Sequence, residues 1–511
     1  MEPTTTQAKV ETGTIEVENP ATGETITSIP IYSPEAVAAT VARVRSNQPA
    51  WEELGFKGRR VWLDKLRDWI LDNSEQITDV MQEETGKVRS DAANESIYLT
   101  DLINFYGGRA GKFLGEKKVR PHSLFGATHK QRVQYRPHPV VGLISPWNFP
   151  LILSFGDAIP ALMAGAAVVM KPSEVTPLGV EHLVKVWKEE IGGPDVLDSV
   201  TGTADTASAL VDHSDFIGFT GSDRVGKLVM ARAAETLTPV SLELGGKDPM
   251  VVLEGSNIER AANAAAWGGM MNSGQICMSV ERIYVEAPVY DEFVTRLTDA
   301  VKELRQGPDG AEISSDVGAM TLEGQTNKVA EQVDNALANG ATALTGGKRP
   351  DGPGTYYEPT VMVNVDHSMP LMKDETFGPV VGVMKVEDSE EAIRLANDSR
   401  YGLSATVFGP KRKAEQVARR IECGAANVNN VLFNYNTPGV PMGGWKESGI
   451  GYRHAEYGIQ KYCRSEAIVS ARMLTKKELL WFPYTPSRRD LVDKLTRMMS
   501  ARDLKRRFGK R

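Results

Sequence analysis

The stretch VVGLISPWNFP, which runs from Val140 to Pro150, decides the fold of this 511-residue chain. A short, almost continuous apolar run ends in a loop stiffened by two prolines, and a second apolar segment, 151–164, follows it. Such a run, bounded by turn residues, is typical of a strand buried on both faces of a parallel sheet. We therefore predict a strand over 140–145 and a helix over 151–164.

The alternation of strand and helix continues after this stretch. Strands are expected at 166–170, 196–200 and 216–219, and helices are expected to begin at Pro177, near Ala204 and at Ser222. This pattern predicts a parallel sheet covered by helices on both faces. Ligands of such sheets bind at the carboxyl ends of the strands, so the loops at those ends are the candidate binding segments.

Three of these loops carry polar groups suited to a nucleotide. The first is 145–150, where the Asn148 side chain can donate hydrogen bonds. The second is Lys171-Pro172-Ser173-Glu174, and the third is Thr220-Gly221-Ser222, which opens a helix whose free N–H groups can hold a pyrophosphate. Taken singly, each has an ordinary explanation as a turn, a solvated strand end or a helix cap. The Gly-x-Gly-x-x-Gly fingerprint is absent at the expected turn.

A second α/β region begins after Glu243 and contains a candidate nucleophile. A helix expected over 258–271 is followed by the loop Asn272–Ser279, which includes Cys277, and by a strand over 280–285. Backbone N–H groups around a cysteine in such a loop favour a thiolate. Glu243 lies 34 residues earlier, before a Gly-Gly turn. Covalent catalysis needs this pairing of nucleophile and base, although a lone cysteine is more often a buried structural residue.

Composition sets limits on the class of protein. The length indicates two or three domains, and the net charge of −7 gives no electrostatic case for nucleic acid as a partner. The three cysteines form neither a disulfide framework nor a metal cluster, which predicts a reducing compartment. The seven histidines show no metal-ligand spacing, so no metal site is expected. The polar N-terminus, 1–14, has no apolar signal segment, so we expect a cytoplasmic protein.

Read together, the motifs resemble those of the aldehyde dehydrogenase superfamily from about residue 15 to about residue 470. The segments that carry the resemblance are Pro146–Pro150, Lys171–Glu174, Phe219–Ser222, Glu243-Leu244-Gly245-Gly246-Lys247, Gly274-Gln275-x-Cys277 and Glu375-Thr376-Phe377-Gly378-Pro379. The resemblance implies that Cys277 attacks an aldehyde to form a thiohemiacetal, with the oxyanion held by the Asn148 amide and the Cys277 N–H. After hydride loss, Glu243 would activate the water that hydrolyses the thioester. Relatives that transfer the acyl group to coenzyme A lack this glutamate, so a free acid is the expected product.

The resemblance also implies the cofactor contacts. Lys171 and Glu174 would bind the adenosine ribose, Ser222 the pyrophosphate, and Glu375 the nicotinamide ribose beside Phe377. The other expected contacts are Ser145, Trp147, Ser173, Gly221 and Leu244. Because a carboxylate at Glu174 accepts from a ribose 2′-hydroxyl but repels a 2′-phosphate, we expect NAD, with NADP tolerated through Lys171.

The family fold implies two open parallel-sheet α/β domains and a small β element for oligomerisation. We assign the dinucleotide-binding domain to 1–117 and 139–242, the catalytic domain to 243–440, and the oligomerisation strands to 118–138 and 459–473. A homodimer or homotetramer is expected.

Two departures from the family bear on substrate and partners. Members that oxidise succinate semialdehyde commonly carry an Arg six residues before the nucleophile, where this chain has Met271. An apolar aliphatic or aromatic aldehyde is therefore expected, with succinate semialdehyde as the alternative. The residues expected around this substrate are Trp147, Met270, Met271, Ile276, Met278, Phe433 and Tyr435.

The second departure is the C-terminal tail, 474–511, which holds 12 Lys and Arg against four acidic residues. Apolar residues from Leu491 to Met499 follow helical spacing, and Trp481, Phe482 and Tyr484 precede them. This pattern predicts a peripheral contact with the inner face of a membrane; the alternative is that the helix packs on an acidic face of its own oligomer.

Two other classes remain open from the sequence. A cysteine hydrolase or thioesterase would use Cys277 and Glu243 without a dinucleotide site, and a non-catalytic scaffold would need neither residue.

Overall fold

A computed structural model describes residues 11–310 and 312–508, which form two compact units. The first unit comprises the chain up to Phe113 together with Pro137–Tyr462, and the second comprises Leu114–Arg136 and the chain from Cys463. The expectations for residues 1–10 and 509–511, including Lys510 and Arg511 of the tail, lie outside the described residues.

The first unit opens with a hairpin and a set of helices. The elements are β1 (Glu11–Glu18), β2 (Thr25–Tyr32), α1 (Pro34–Glu53), α2 (Gly55–Asp72), α3 (Ser74–Thr85) and α4 (Arg89–Leu114). Helix α1 begins at Pro34, because Ser33 accepts a hydrogen bond from the Ala36 N–H at 3.2 Å and a proline occupies the first turn.

The strand of the 140–150 stretch lies in a six-stranded sheet of the order β19-β9-β8-β5-β6-β7. Its strands are β5 (Val140–Ile144), β6 (Ala167–Lys171), β7 (Leu197–Ser199), β8 (Phe216–Thr220), β9 (Val240–Glu243) and β19 (Gly449–Ile450). Its pairs are parallel except β19 with β9. The associated helices are α6 (Pro150–Ala164), α7 (Leu178–Lys185), α8 (Ala204–His213) and α9 (Asp223–Glu235). Strands β5, β6 and β8 are buried throughout.

A seven-stranded sheet of the order β12-β13-β14-β11-β10-β16-β17 follows. Its strands are β10 (Asp248–Val252), β11 (Val280–Glu286), β12 (Thr342–Thr345), β13 (Thr360–Val363), β14 (Val380–Val386), β16 (Ser404–Phe408) and β17 (Ala425–Val428). Its helices are α10 (Ile258–Met270), α11 (Ala287–Lys302), α12 (Glu323–Ala338), α13 (Pro370–Lys373), α14 (Ser389–Asn397) and α15 (Lys411–Ala418). The unit also contains the pair β15 (Tyr401–Gly402) and β18 (Trp445–Lys446), and α16 (Tyr457–Gln460).

The second unit holds a three-stranded sheet of the order β20-β4-β3. Its elements are β3 (Lys117–Val119), α5 (Leu124–Ala127), β4 (His129–Pro137), β20 (Cys463–Ala471), α17 (Pro486–Ser500) and α18 (Leu504–Phe508). Among the residues described, no helix is long and apolar enough to cross a bilayer.

The predicted α/β class with two open, mainly parallel sheets and a small β element is confirmed. The carboxyl ends of β5, β6, β8 and β9 lie on one edge of the first sheet, because these strands are parallel neighbours. The domain boundaries and the oligomerisation role of the small sheet stay predictions.

Candidate active site

Cys277 lies in a loop that is held in an unusual backbone conformation. Helix α10 ends at Met270, and a 3₁₀ turn over Met271–Gly274 precedes the cysteine. Asn272 and Ser273 have φ values of 51° and 54°, which non-glycine residues rarely adopt. The Asn272 N–H donates to Asp91 Oδ2 at 2.8 Å, and Ser273 Oγ donates to the Gly318 carbonyl at 2.9 Å. These contacts fix a strained turn, a kind that is concentrated at functional sites.

Asn148 lies directly against this loop. Its buried side chain donates from Nδ2 to the Gln275 carbonyl at 2.9 Å, while Asn272 Nδ2 donates to the Asn148 carbonyl at 3.1 Å. An amide nitrogen carries two hydrogens, so one of them occupies the Gln275 bond and the second remains for another acceptor near Cys277.

The two glycines of the Glu243–Lys247 segment allow a close approach of three chain segments. A Cβ at Gly245 would lie 2.8 Å from the Glu375 carboxylate oxygens, and a Cβ at Gly246 would overlap the Cys277 carbonyl. Lys247 is buried and pairs with Glu281, and its Nζ also donates to Thr376 Oγ1 at 2.8 Å. Lys247 therefore holds the fold of the site together rather than facing a ligand.

Glu281 extends this support to the loop that carries Glu375. Its carboxylate accepts from the Thr376 N–H at 2.8 Å and from the Phe377 N–H at 2.9 Å. Glu375 Oε1 accepts from the Gly246 N–H at 3.0 Å. Burial, followed by the charge of Glu281, raises the pKa of Glu375 to about 7.

Two cavities meet at Cys277 and Asn148, since both residues line both cavities. The smaller cavity, of about 190 Å³, also contacts Glu243. Its wall includes six of the expected cofactor contacts: Trp147, Gly221, Ser222, Leu244, Glu375 and Phe377. The rings of Trp147 and Phe377 meet edge to face, with 5.4 Å between their centroids.

Four other expected cofactor contacts do not line this cavity. Ser145 is buried, and its hydroxyl lies 2.5 Å from that of Ser154. Lys171 Nζ is 3.0 Å from Glu174 Oε2 at the end of β6, and Ser173 Oγ accepts from the Val175 N–H at 3.3 Å. Because β6 adjoins β5 in parallel register, Lys171, Ser173 and Glu174 follow the same sheet edge as Trp147 and Asn148. They lie beyond the cavity that contains the nucleophile.

Glu243 ends β9 as a buried carboxylate. Neither of its oxygens has a hydrogen-bond partner among the residues described. Burial raises its pKa to about 7, and Arg453 and Lys461 partly oppose this effect. A carboxylate that changes its ionisation near neutral pH suits the role of a general base.

The cations that act on Glu243 belong to a cluster around Asp157, which we call the Asp157 cluster. Arg453 Nη2 donates to Asp157 Oδ2 at 2.6 Å, and Lys461 Nζ lies 3.0 Å from Asp157 Oδ1, which also accepts from Tyr462 Oη at 2.7 Å. Arg453 also donates to Thr220 Oγ1 at 2.5 Å, and Thr220 pairs with Glu243 in the sheet. This cluster was not predicted from the sequence. Arg453 follows the glycine-rich loop after Asn430, which was the available signal.

The expectation of a thiolate at Cys277 is wrong for the free protein. Burial and then the charges of Asp248 and Glu375 raise the pKa of the half-buried thiol to about 12. The prediction considered the N–H groups of the loop alone. The fold brings carboxylates from two distant segments to the same place, and these favour the protonated thiol.

The larger cavity, of about 270 Å³, lies on the other side of Cys277 and is mainly apolar. Met271, Ile276, Met278 and Tyr435 line it as predicted. The prediction is wrong for three residues. Met270 is 1% exposed in the core, and Phe433 points outward at 56% exposure. Trp147 lines the smaller cavity instead, because its loop turns towards Phe377.

Part of this lining was not predicted from the sequence. Ile97, Tyr98 and Asp101 of α4 and Trp267 of α10 also line the cavity. The Tyr98 and Tyr435 rings stack with 5.1 Å between centroids, and Tyr98 Oη lies 2.7 Å from His454 Nε2. Among the described residues that line this cavity there is no Lys, Arg or His, whereas Asp101 carries a negative charge.

Comparison with known proteins agrees with this geometry. The profile of the aldehyde dehydrogenase family matches residues 7–468. A protein of Mycolicibacterium smegmatis with the provisional name succinate-semialdehyde dehydrogenase (NADP+) is 38% identical over 462 residues, which are 90% of this chain and 89% of that protein. The 4,4′-diapolycopene aldehyde oxidase of Methylomonas sp is 37% identical over 482 residues, covering 93% of this chain and 89% of that protein.

A solved structure gives the same result. The betaine aldehyde dehydrogenase of Staphylococcus aureus, in complex with NAD+, superimposes with a TM-score of 0.86 at 30% identity, covering 93% of this chain and 95% of that one. Since the family profile covers most of the sequence and the two parallel sheets agree with a solved member, this chain belongs to the aldehyde dehydrogenase family.

Proposed function

We propose that the chain oxidises an apolar aldehyde to the carboxylic acid with NAD(P)+, using Cys277 as nucleophile and Glu243 as general base. The observation that carries this proposal is the junction of the two cavities at Cys277. One cavity is apolar and suits an aldehyde, and the other has the polar and aromatic wall of a nucleotide site. A reaction between an aldehyde and a cofactor needs both to reach one nucleophile.

The smaller cavity suits the nicotinamide end of a dinucleotide, whose adenosine end would reach Lys171 and Glu174 along the same sheet edge. Ser222 caps α9, a helix of 13 residues whose first N–H groups suit a pyrophosphate. A glycine is required at position 221, because a Cβ there would lie 2.7 Å from the Phe219 ring. The Glu375 carboxylate can accept from ribose hydroxyls, and Trp147 and Phe377 provide flat walls. When bound, the nicotinamide supplies a hydride acceptor.

Glu174 supports NAD as the preferred form. Partial burial disfavours its charge, but the Lys171 cation outweighs this effect and lowers the pKa of the carboxyl. An ionised Glu174 would repel a 2′-phosphate. The M. smegmatis relative is named for NADP+, and Lys171, at the same sheet edge, would be the residue that tolerates that cofactor.

The first chemical step on the protein is attack by sulfur. Because the thiol is protonated at neutral pH, a base must take its proton. Glu243, whose pKa is about 7 and whose oxygens are unpaired among the residues described, lines the same cavity. The oxyanion of the thiohemiacetal would accept from the second Asn148 amide hydrogen and from the Cys277 N–H. Each such donor contributes about 3 kcal/mol in comparable sites.

The second step releases the acid. Glu243 first releases to solvent the proton that it took from the thiol. Once the acyl group is a thioester on Cys277, the ionised Glu243 takes a proton from a water that attacks the carbonyl carbon. The thiol is regenerated as the carbon–sulfur bond breaks. Glu243 therefore serves both half-reactions, and its ionisation controls the rate of each.

The lining of the larger cavity supports an apolar substrate. A dicarboxylic semialdehyde would bring its carboxylate into a space lined mainly by apolar side chains, with an acidic Asp101 and no basic residue among the described lining. Burying such a charge without a partner is unfavourable. Succinate semialdehyde is the second candidate, because the name of the M. smegmatis relative favours it.

For its assembly, the small sheet provides two exposed strand edges, those of β3 and β20. Edge strands are suited to pairing with a strand of another copy, so we propose a cytoplasmic homodimer or homotetramer built through this sheet. A proline in β3, as in Lys118→Pro, would lower the mass observed by light scattering; an unchanged mass would exclude this edge.

The experiment that tests the function follows NAD+ and NADP+ reduction by absorbance with long aliphatic aldehydes, benzaldehydes, acetaldehyde and succinate semialdehyde. Turnover of apolar aldehydes that vanishes in Cys277→Ala is the expected result. A preference for succinate semialdehyde would overturn the substrate assignment. If the protein reduces neither cofactor but hydrolyses thioesters, the assignment as a dehydrogenase is wrong and the protein is a cysteine hydrolase.

A further inference from the structure

The C-terminal tail carries a group of exposed aromatic residues that is held in place. Phe482 and Tyr484 are 73% and 74% exposed, and Trp481 and Leu480 beside them are also exposed. Arg488 donates to the carbonyls of Trp481 at 3.1 Å and Pro483 at 3.4 Å. These bonds tie the aromatic loop to the first turn of α17. Large apolar side chains are thus presented to solvent on an ordered support.

Helix α17 continues this surface. Its apolar residues Leu491, Val492, Leu495, Met498 and Met499 fall within one third of the helical circumference. None of them is buried in the second unit, and Leu491 is 46% exposed. Lys494 lies three residues after Leu491 and four before Met498, so it borders the exposed edge of the apolar stripe. This is the arrangement of a helix whose apolar side faces an interface and whose basic side chains reach along it.

Positive charge accompanies the apolar side chains along the whole tail. In α18, the exposed Leu504 and Phe508 bracket Lys505, Arg506 and Arg507. The tail carries a net charge of +8, whereas the rest of the chain carries −15. Two of the four acidic residues pair within the tail, Asp493 with Arg489 and Asp503 with Arg506. Among the described tail residues, 474–508, basic side chains outnumber acidic ones by ten to four, and this excess suits an external anion.

From these observations we infer that the C-terminal tail binds the surface of an anionic lipid bilayer, with Trp481, Phe482 and Tyr484 in the headgroup region and the basic residues on the lipid phosphates. Basic residues alone would suit any polyanion. Exposed Trp, Tyr and Phe beside them favour the boundary between water and hydrocarbon. A cluster of this many Lys and Arg is enough for attraction to anionic lipid, and this role is independent of the proposed reaction.

The test uses the full-length protein and sedimentation with two kinds of vesicle. One is phosphatidylcholine alone, and the other contains about one third phosphatidylserine. We expect at least about tenfold tighter association with the anionic vesicles, which weakens as salt is raised because the charges are screened. Equal binding to both kinds, or binding to neither at low salt, would overturn the inference.

Two variants separate the contributions of the tail. Replacement of the aromatic residues, Trp481→Ser with Phe482→Ser and Tyr484→Ser, should reduce binding at low and high salt. Charge reversal, Lys505→Glu with Arg506→Glu, should remove the preference for anionic vesicles. The matched control reverses two charges elsewhere, Lys411→Glu with Arg412→Glu, at exposed positions of α15 in the first unit. This variant should bind vesicles like the unaltered protein.

Further measurements distinguish a lipid bilayer from a second copy of the chain or a nucleic acid as the partner of the tail. Dehydrogenase activity measured on every variant shows whether the protein remains folded. If the tail variants keep vesicle binding but change the mass in solution, the tail packs on a second copy and the inference is wrong. If double-stranded DNA displaces the protein from vesicles and binds it equally in the aromatic variant, the tail is a general polyanion site and the inference also fails.

Discussion

Removal of the Arg453 guanidinium should move the pH dependence of turnover without abolishing activity. Arg453 bonds to Thr220 at 2.5 Å, and Thr220 is the strand partner of Glu243. For the order of magnitude we take a charge separation of roughly 7 Å, between one and two strand spacings of about 4.8 Å. At an effective dielectric constant of about 20, two unit charges at that distance attract by about 2.4 kcal/mol, which corresponds to about 1.7 pKa units.

The sign of the effect follows from the charge of the base. Glu243 is active when ionised, so turnover falls as the pH drops through its pKa of about 7. Arg453 favours the ionised form, and in Arg453→Met the pKa should rise to nearly 9, by roughly the amount estimated from the charge separation. The ionised fraction at pH 7 then falls from about half to about 2%. We expect kcat to drop about 20-fold at pH 7 and less than about twofold at pH 9.5.

The assay is a pH profile of kcat from pH 6 to about 10, with Arg453→Lys as the control that keeps the positive charge. Lys461 also lowers the pKa of Glu243, and Asp157 raises it. The charge of Glu243 in turn raises the pKa of Cys277. Loss of Arg453 also leaves Asp157 with Lys461 and Tyr462 as its described partners, so the melting temperature of each variant must be measured. A uniform loss of kcat at every pH, with no shift of the acid limb, would refute the electrostatic role.

Other changes test separate parts of the site. Glu243→Gln should slow both half-reactions, so turnover should fall at least about 100-fold and mass spectrometry should find little acyl group on Cys277; strong accumulation of the acyl-enzyme would confine Glu243 to deacylation. Met271→Arg should raise kcat/KM for succinate semialdehyde relative to hexanal by about tenfold or more, and an unchanged ratio would place Met271 away from the substrate. Glu174→Gln should improve kcat/KM with NADP+ relative to NAD+ by about tenfold, which paired cofactor titrations measure. Lys247→Met leaves Glu281 without its buried cation and should destabilise the protein by about 3–5 kcal/mol, measured by urea unfolding, with the exposed Lys411→Met as the neutral control.

The fold was predictable because its signals are local. Strands β5, β6 and β8 are buried on both faces, so each is an uninterrupted apolar run in the sequence. Prolines and capping residues mark the ends of these runs. The small sheet was harder to predict, because β4 and β20 are more than 300 residues apart. Only the resemblance to the family suggested that they form one element.

The site was predictable where its residues lie in short motifs and unpredictable where they do not. Asn148, Glu243 and Cys277 each occupy a recognisable loop, and the structure brings them to one cavity. Asp157 and Arg453 are nearly 300 residues apart, and each resembles an ordinary surface charge in the sequence. Their pairing exists only after α6 has packed near the loop that follows β19. The thiol pKa was misjudged for the same reason, because the carboxylates that raise it come from other segments.

The buried charges explain how a base can operate in this interior. Burial alone would keep Glu243 protonated. The Asp157 cluster has one anion and two cations, so ionisation of Glu243 makes the four groups neutral as a set. That balance offsets part of the desolvation and leaves the pKa of Glu243 near 7 instead of higher. The charge of Arg453 lowers the pKa of Cys277 by less than burial and the nearby carboxylates raise it, so the proton stays on sulfur until a base removes it. The reaction should therefore depend on the ionisation of the glutamate rather than on that of the free thiol, and the Arg453 variants measure this dependence directly.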